Sequence, residues 1–265
     1  MNKVDVERIS GPISILWTGG WDSTYRVVEL SRQKVTIQPI YILDPKRESA
    51  NYELGGAIKT ITEMLLQRNE TLAEFLSIKV INVGEIQPNE EITATAKQLK
   101  NEFGLGEQHD WTARVALQYP GIEMCIEKAI KGYMPIRETI NKYGKLKMSA
   151  HGYVVDREQS TQTLVNILGN ITLPIFDTTE TEMLQNIKKW HYEDVMAHIW
   201  FCHRPIKGKP CGLCSPCHTK WDSNMKFLLP EDAQKRCEKA IEIEDRFGQT
   251  AGKIYKRVAR KIAER

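Results

Sequence analysis

The sequence predicts an α/β protein built on a doubly wound parallel sheet, followed by a helical region near the C-terminus. Two features of the chain indicate this class. Short apolar runs alternate with segments of helical periodicity. A Gly-Gly turn also joins the first apolar run to the first helical segment. Strands that alternate with helices are typical of a parallel sheet covered on both faces.

The apolar runs and the helical segments can be placed in order along the chain. The predicted strands are 13–17, 35–43, 78–83, 122–125 and 171–175. The predicted helices are 23–32, 52–67, 90–103, 111–118, 180–190 and 192–198, with charged helical sequence from 231 onward. Since the last strand ends near 175, we predict an α/β domain at 1–176 and a helical region at 177–265.

Composition limits the classes of function. The chain has 265 residues, of which 41% are apolar and 27% charged, as in soluble globular proteins. Residues 1–7 lack the apolar core of a signal peptide, and no apolar run is long enough to span a membrane. We therefore expect a cytoplasmic protein with no membrane partner.

Net charge is +3, which gives little support for a nucleic-acid partner. The last fifteen residues are basic, but we expect them to form a solvated helix end rather than a phosphate-binding surface.

The glycine turn has the chemistry of an anion site. The sequence from Thr18 to Thr24 reads Thr-Gly-Gly-Trp-Asp-Ser-Thr directly after a predicted strand. Gly19 and Gly20 let the backbone turn sharply and bring amides close to a phosphate, while the following helix adds its dipole. Ser23 can cap that helix or donate its hydroxyl to a phosphate oxygen. A strand-to-helix turn without a ligand is the simpler alternative.

The turn is not a Walker loop, because it lacks the Gly-x4-Gly-Lys-Ser/Thr pattern. It is not a dinucleotide-binding turn either, because it lacks Gly-x-Gly-x-x-Gly. It resembles the Ser-Gly-Gly-x-Asp-Ser loop of the PP-loop ATP pyrophosphatases, with Thr18 in place of the first serine. The resemblance implies the adenine nucleotide alpha hydrolase-like fold and ATP cleavage between the α and β phosphates. It assigns nucleotide binding to residues Thr18, Gly19, Gly20, Trp21, Asp22, Ser23 and Thr24. It also implies that Asp22 supports the loop and the Mg²⁺-bound phosphates.

Four of the six cysteines lie within sixteen residues, at Cys202, Cys211, Cys214 and Cys217. In a reducing cytoplasm such clustering indicates a metal rather than disulfides. Four thiolates at these spacings suit tetrahedral Zn²⁺ with no open position, so we predict a structural zinc. An iron–sulfur cluster, as in some enzymes that thiolate tRNA, is the alternative. We expect the remaining cysteines, Cys125 and Cys237, to be buried as small hydrophobic residues.

The glycine turn combined with Cys-x8-Cys-Gly-x-Cys-x-x-Cys resembles the 7-cyano-7-deazaguanine synthase family of queuosine biosynthesis. Lys46, Arg47 and Glu53 after the second strand, and Trp190 before Cys202, fall where that family has similar residues. The resemblance implies that ATP adenylates the carboxylate of 7-carboxy-7-deazaguanine. Ammonia then displaces AMP to give an amide, and a second ATP drives dehydration to the nitrile. It also implies, more weakly, a homodimer.

The chain departs from that family at two places. No lysine occurs between Met148 and Ile187, where the family has one after its last strand, and Thr178, Thr179 or Glu180 stands in its place. The family's Arg-Asn pair is also missing. His109 and Arg114 therefore become ligand candidates, and Trp111 could stack on a ring. Residues 151–157 follow an apparent strand end, so Arg157 is a candidate as well.

The catalytic candidates are thus Asp22, Ser23, Arg47, Arg114 and Arg157. The departures suggest a divergent relative and leave three further hypotheses open. A defence-associated enzyme of bacterial anti-phage systems could join the activated deazaguanine to a protein amine instead of ammonia. A tRNA-thiolating PP-loop enzyme is the second possibility. An inactive protein that only binds a nucleotide and a partner is the third.

Overall fold

The computed structural model describes residues 11–128, 133–223 and 225–264. Residues 1–7, considered above for a signal sequence, and Arg265 of the basic end lie outside the described residues. The strands are Ile13–Leu16 (β1), Thr36–Leu43 (β2), Glu74–Phe75 (β3), Lys79–Asn82 (β4), Ile122–Glu123 (β5), Leu146–Ser149 (β6), Gly152–Val155 (β7) and Ile171–Thr172 (β8). The helices are Trp21–Ser31 (α1), Lys59–Leu66 (α2), Glu90–Phe103 (α3), Gln108–Gln118 (α4), Pro135–Tyr143 (α5), Gln162–Leu168 (α6), Glu180–Trp190 (α7), Glu193–Met196 (α8), Ser215–Asp222 (α9), Glu231–Phe247 (α10) and Gln249–Glu264 (α11).

The main sheet is parallel, and β1 lies at its centre. β1 pairs with β2 on one side and with β5 on the other. β2 continues to β3 and β4, and β5 continues to β8, again all in parallel. The chain therefore builds the sheet outward from β1 first in one direction and then in the other. The carboxyl ends of β1 and β5 flank the point where the order reverses, which is where such sheets bind ligands.

Helices cover both faces of this sheet because side chains alternate along each strand. Ile13 and Ile15 of β1 face one core, which includes residues of α1, α2, α7 and α8. Leu16 and Ile40 face the opposite core, against α3, α4, α5 and α6. The α/β class with a parallel sheet is confirmed, and the two covered faces are compatible with the doubly wound arrangement.

The predicted helix at 52–67 is in fact two segments. Residues Asn51–Ile58 form a π-helix, and a regular α-helix continues from there as α2. Gly55 and Gly56 lie within the π-helix, and glycine lowers the cost of departing from α-helical backbone angles. Such wide turns are frequent at functional sites.

Residues 146–155 do not extend the parallel sheet. β6 and β7 form a separate antiparallel hairpin, with Ser149 opposite Gly152. The apparent strand end near His151 is therefore the tip of a hairpin and not a carboxyl edge of the main sheet. A backbone bridge between Tyr153 and Leu173 attaches the hairpin beside β8.

The C-terminal region packs on the α/β unit at more than one place. Residues of α7 and α8, together with Met225, belong to the same core as β1 and α1. A second cluster joins the cysteine segment to Ala233 of α10 and Ala259 of α11. The domain boundary at 176 remains a prediction, but the chain beyond it completes the core on one face of the sheet.

Candidate functional site

The glycine turn connects β1 to α1 and is held by its own hydroxyl groups. Thr18 Oγ1 lies 3.1 Å from Ser23 Oγ, and the Thr18 amide donates to Ser23 Oγ at 3.3 Å. The Gly20 amide lies 3.4 Å from Thr18 Oγ1. Gly20 is extended and precedes the first residue of α1, whose early amides have no carbonyl partner within the helix. These amides and the helix dipole make the end of α1 suited to an anion.

Gly19 is required by the backbone and by packing. Its φ of +73° is in the left-handed region, and an added Cβ would lie 3.3 Å from Ala57 Cβ in the π-helix. On the other side, the Trp200 amide donates to the Gly19 carbonyl at 2.8 Å. Trp200 in turn stacks on Tyr52, with ring centroids 4.5 Å apart. The turn therefore packs against the π-helix on one side and is hydrogen-bonded to the segment that leads to the cysteines on the other.

A cavity of about 680 Å³ opens beside this turn. Its walls come from the glycine turn, the end of β2, the start of α4, the segment after β5, and α9. Such a volume is within the range of small-molecule sites. Since the cavity lies at the carboxyl ends of β1 and β5, it occupies the ligand-binding position of an open α/β sheet.

Charged groups are part of the cavity wall. Asp22, Glu127 and Lys220 line it, and Lys220 forms an ion pair with Glu180 at the start of α7. Burial raises the pKa of Asp22 to about 6, while Lys220 opposes this rise and Glu180 adds to it. Burial also raises the pKa of Glu127 to about 7, with the charges of Asp22 and Glu180 contributing. Perturbed carboxyl groups of this kind are common at functional sites.

Arg47 lines the cavity and is held by a small polar network. Its Nη2 lies 2.9 Å from Glu53 Oε1, and its Nε donates to Ser49 Oγ at 2.9 Å. Tyr41 donates to the other oxygen of Glu53 at 2.8 Å, and Glu53 is almost completely buried. The predicted basic and acidic pair after β2 therefore lies at the cavity wall, with Arg47 oriented by Glu53.

Of the candidates on α4, the structure brings some to the cavity and one elsewhere. His109 and Trp111 both line the cavity, and burial lowers the pKa of His109 to about 4. Arg114 is instead paired with Asp110 at 3.0 Å and donates to the carbonyl of Ile86 at 3.3 Å. Arg114 is not among the residues that line the cavity, and its contacts tie α4 to the chain before α3.

Arg157 lies apart from the glycine turn. It is exposed after the β6–β7 hairpin and donates to the carbonyl of Gly169 and to Asn170 Oδ1, the latter at 3.2 Å. It is not among the cavity residues either. The structure therefore brings Asp22, Ser23 and Arg47 together but separates Arg114 and Arg157 from them. Arg157 was predicted to lie at the carboxyl edge of the main sheet, but it follows the β6–β7 hairpin instead.

The four clustered cysteines could hold a metal ion such as zinc. The sulfurs of Cys202, Cys211, Cys214 and Cys217 all lie within 4.8 Å of one another. Three of the sulfur pairs are 3.5 to 3.9 Å apart. Tetrahedral Zn²⁺ with Zn–S bonds of about 2.3 Å separates its sulfurs by about 3.8 Å, so the arrangement fits this ion.

Backbone groups support the cysteine cluster. The Cys211 amide points to Cys202 Sγ at 3.2 Å, and the Leu213 amide points to Cys211 Sγ at 3.3 Å. Gly212 has a φ of +69°, and a Cβ there would lie 2.0 Å from the Ala233 carbonyl oxygen. The turn from Cys211 to Cys214 can therefore pack directly against α10 only because residue 212 has no side chain.

The two remaining cysteines are not poised as nucleophiles. Cys237 is fully buried in α10, as expected of a small hydrophobic residue. Cys125 is half-buried and lines the cavity, but burial raises the pKa of its thiol well above the ordinary value. A thiol in that state is a poor nucleophile at neutral pH.

Lys220 and Glu127 were missed as site residues in the sequence. Lys220 belongs to no recognised motif, and Glu127 lies in a loop without one. The one signal for Lys220 is its spacing of three residues after Cys217, which places it one turn along α9 from a metal ligand. Nothing in the local sequence identifies Glu127.

Comparison with known proteins finds no family model that matches the chain, and no curated protein matches it. Among the described residues, no helix combines the length and the apolar character needed to cross a bilayer.

Proposed function

We propose that the protein is an ATP-dependent carbon–nitrogen ligase that activates a carboxylic acid as its acyl-adenylate. The observation that carries the proposal is the glycine turn, whose amides and helix dipole meet the cavity at the reversal point of the sheet. Asp22, Arg47 and Lys220 face the same space. An anion site beside cationic and acidic groups suits a nucleoside triphosphate better than an uncharged ligand.

The proposed reaction begins with attack of a carboxylate oxygen on the α-phosphorus of ATP. The bond from that phosphorus to the oxygen bridging to the β-phosphate breaks, and pyrophosphate leaves. An amine then attacks the carbonyl carbon of the acyl-adenylate, loses a proton and releases AMP. The adenylation step replaces oxide, a very poor leaving group, with AMP. Holding both reactants in one cavity supplies the proximity that the step needs.

Residues of the chain have distinct roles in this proposal. The amides around Gly20 bind the departing pyrophosphate, and Ser23 fixes the turn through Thr18. Arg47 contributes a fixed positive charge where the phosphates develop negative charge. Asp22 is the carboxylate placed to hold Mg²⁺, which when bound offsets the phosphate charge.

Part of the cavity wall suits a planar acid. Trp111 and His109 line the cavity, as do the apolar side chains of Leu105 and Met134. Burial keeps His109 neutral, so its ring can donate one hydrogen bond and accept another. We propose a 7-deazaguanine carboxylic acid as substrate and ammonia as acceptor, in keeping with the resemblance described above.

We further propose that the metal is a structural Zn²⁺. Four sulfur ligands leave no open position for substrate, and a single ion explains sulfurs that lie so close together. In an iron–sulfur cluster the four cysteine sulfurs are shared among two or four irons, so they cannot all lie as close together as they do around one ion. A purified protein with zinc and no visible absorption supports this assignment, whereas a brown protein contradicts it.

The test of the ligase proposal is incubation with ATP, Mg²⁺, 7-carboxy-7-deazaguanine and ammonium. Mass spectrometry should detect the amide or nitrile, and a coupled assay should detect pyrophosphate. Asp22→Ala should abolish both signals, while Asp245→Ala, at an exposed position on α10, should leave them unchanged. Pyrophosphate without an amide mass would reject ammonia as acceptor and direct the test to a protein amine. No pyrophosphate with any acid would reject adenylation.

A further inference from the structure

Lys220 is a buried lysine on α9 that reaches the same cavity as the glycine turn. Only 8% of the residue is exposed. Its Nζ forms an ion pair with Glu180, lies 3.3 Å from Met225 Sδ, and lies 5.7 Å from the centre of the Trp21 ring. Trp21 is the first residue of α1, and Lys220 lines the same cavity as Trp21, Gly20 and Asp22.

The contacts of Lys220 leave part of its hydrogen-bonding capacity for a ligand. An ammonium group has three donors, and Glu180 and Met225 Sδ each accept from one of them. Removing a lysine from water is costly unless a partner compensates, and Glu180 is that partner. Glu180 is itself fixed as the first residue of α7, where the helix dipole stabilises a carboxylate.

The cysteine cluster determines where Lys220 lies. Cys214 directly precedes α9, and Cys217 belongs to its first turn. Lys220 follows one turn later, on the face that meets the cavity. Since a bound metal would fix both cysteines, it would also fix the position of the lysine one helical turn away.

We propose that Lys220 is the lysine that contacts the phosphates of the bound nucleotide, and that Glu180 is a positioning residue that orients it. The inference rests on the proposed ATP-dependent function. It assigns the cysteine region a direct part in the site, because the helix that begins directly after Cys214 and contains Cys217 also carries a phosphate-binding group. A compact point charge of this kind is a common phosphate ligand in proteins.

The test compares Lys220→Met, Lys220→Arg and Glu180→Gln with Lys226→Met as the matched control. Lys226 lies over the Trp221 ring at 4.0 Å and is not among the cavity residues. Calorimetry with Mg·ATP and pyrophosphate release are measured on each full-length variant. Zinc content and melting temperature show whether each variant is folded.

We expect Lys220→Met to weaken ATP binding about tenfold and to lower kcat about 100-fold, the scale of a lost charge-stabilising group. Lys220→Arg should restore part of kcat. Glu180→Gln should lower kcat with a smaller change in KM, while Lys226→Met behaves as wild type. A folded Lys220→Met variant with wild-type ATP affinity and kcat would overturn the inference.

Failure of the ligase proposal gives a different result. If the wild-type protein binds ATP but releases no pyrophosphate, adenylation is rejected and the assignment of Lys220 is decided by affinity alone. Weaker ATP binding by Lys220→Met then supports the contact, and equal binding contradicts it. If Lys220→Met is unfolded, the same comparison is made with Lys220→Arg, where unchanged affinity and unchanged kcat contradict a contact with specific geometry.

Discussion

Arg26 of α1 and Glu123 of β5 form a buried ion pair with two hydrogen bonds, at 2.8 Å from Nε and 2.7 Å from Nη2. The pair joins the helix that follows the glycine turn to the strand on the other side of the reversal point. Glu123 is 1% exposed, and Glu29 is a second partner of the guanidinium at 2.6 Å. Because both groups are removed from water, the loss of either leaves an uncompensated charge.

We predict that Glu123→Gln destabilises the protein by about 3 to 5 kcal/mol, the usual cost of breaking one side of a buried ion pair. The free energy of unfolding is measured by urea denaturation. Glu231→Gln, in an exposed pair with Lys235, is the control and should leave the free energy of unfolding nearly unchanged, since exposed ion pairs contribute little. If Glu123→Gln is as stable as the control, the pair does not anchor α1 to β5.

The second prediction concerns the close approach at Gly212. Gly212→Ala would place a methyl group 2.0 Å from the Ala233 carbonyl oxygen, in a left-handed backbone conformation. We expect loss of metal and a clear drop in melting temperature. Gly248→Ala is the control for backbone strain without a steric clash, because its φ is +84° but nothing lies within 4 Å of the added Cβ. Its cost should be limited to about 1 to 3 kcal/mol, the strain of placing a side chain at this φ and ψ. Equal effects in the two variants would refute the steric argument.

The third prediction concerns the metal. Cys214→Ser should remove most of the bound zinc, measured by plasma mass spectrometry, and should lower solubility because the segment folds around the ion. Cys237→Ser is the matched control, since this cysteine is fully buried yet outside the cluster. It should keep a full complement of zinc. Retention of zinc by Cys214→Ser would show that four thiolates are not needed.

The fourth prediction is a loss of stability in acid that depends on His109. Burial lowers the pKa of His109 to about 4 from an ordinary 6.5, so the unfolded chain takes up this proton first as pH falls. The contribution of neutral His109 to the free energy of unfolding is therefore fully present above pH 6.5 and is lost as pH falls toward 4. The loss over this range amounts to about 3 kcal/mol.

The pH dependence of the free energy of unfolding tests this between pH 4 and 8. His109→Gln should flatten the curve in this range, whereas His198→Gln, at an exposed position, should leave its shape unchanged. The same slope in wild type and in His109→Gln between pH 4 and 6.5, or an equal flattening in both variants, would show that His109 is not the group responsible.

Structure could be predicted from local sequence where a motif or a hydrophobic period is continuous along the chain. The strand, turn and helix around Gly19 follow from apolar residues and glycines within one short segment, and the helix Glu90–Phe103 follows from its period. The cysteine cluster could be predicted because its ligands are close in sequence. These features depend on interactions between near neighbours.

The remainder depends on contacts between distant parts of the chain. The pairing of Lys220 with Glu180 spans 40 residues, and the placement of Glu127 depends on which strand lies beside β1. The apparent strand end before residues 151–157 belongs to a hairpin because β6 pairs with β7, and a bridge to Leu173 attaches that hairpin to the sheet. The π-helix also depends on its packing against Gly19.

Calorimetric titration of the full-length protein with Mg·ATP, with and without pyrophosphate as competitor, tests the central claim most directly. The account predicts saturable binding with one ATP per chain, competition by pyrophosphate, and weaker binding by Ser23→Ala, because this hydroxyl fixes the glycine turn. Absence of binding at millimolar ATP, or binding that pyrophosphate does not displace, would contradict it.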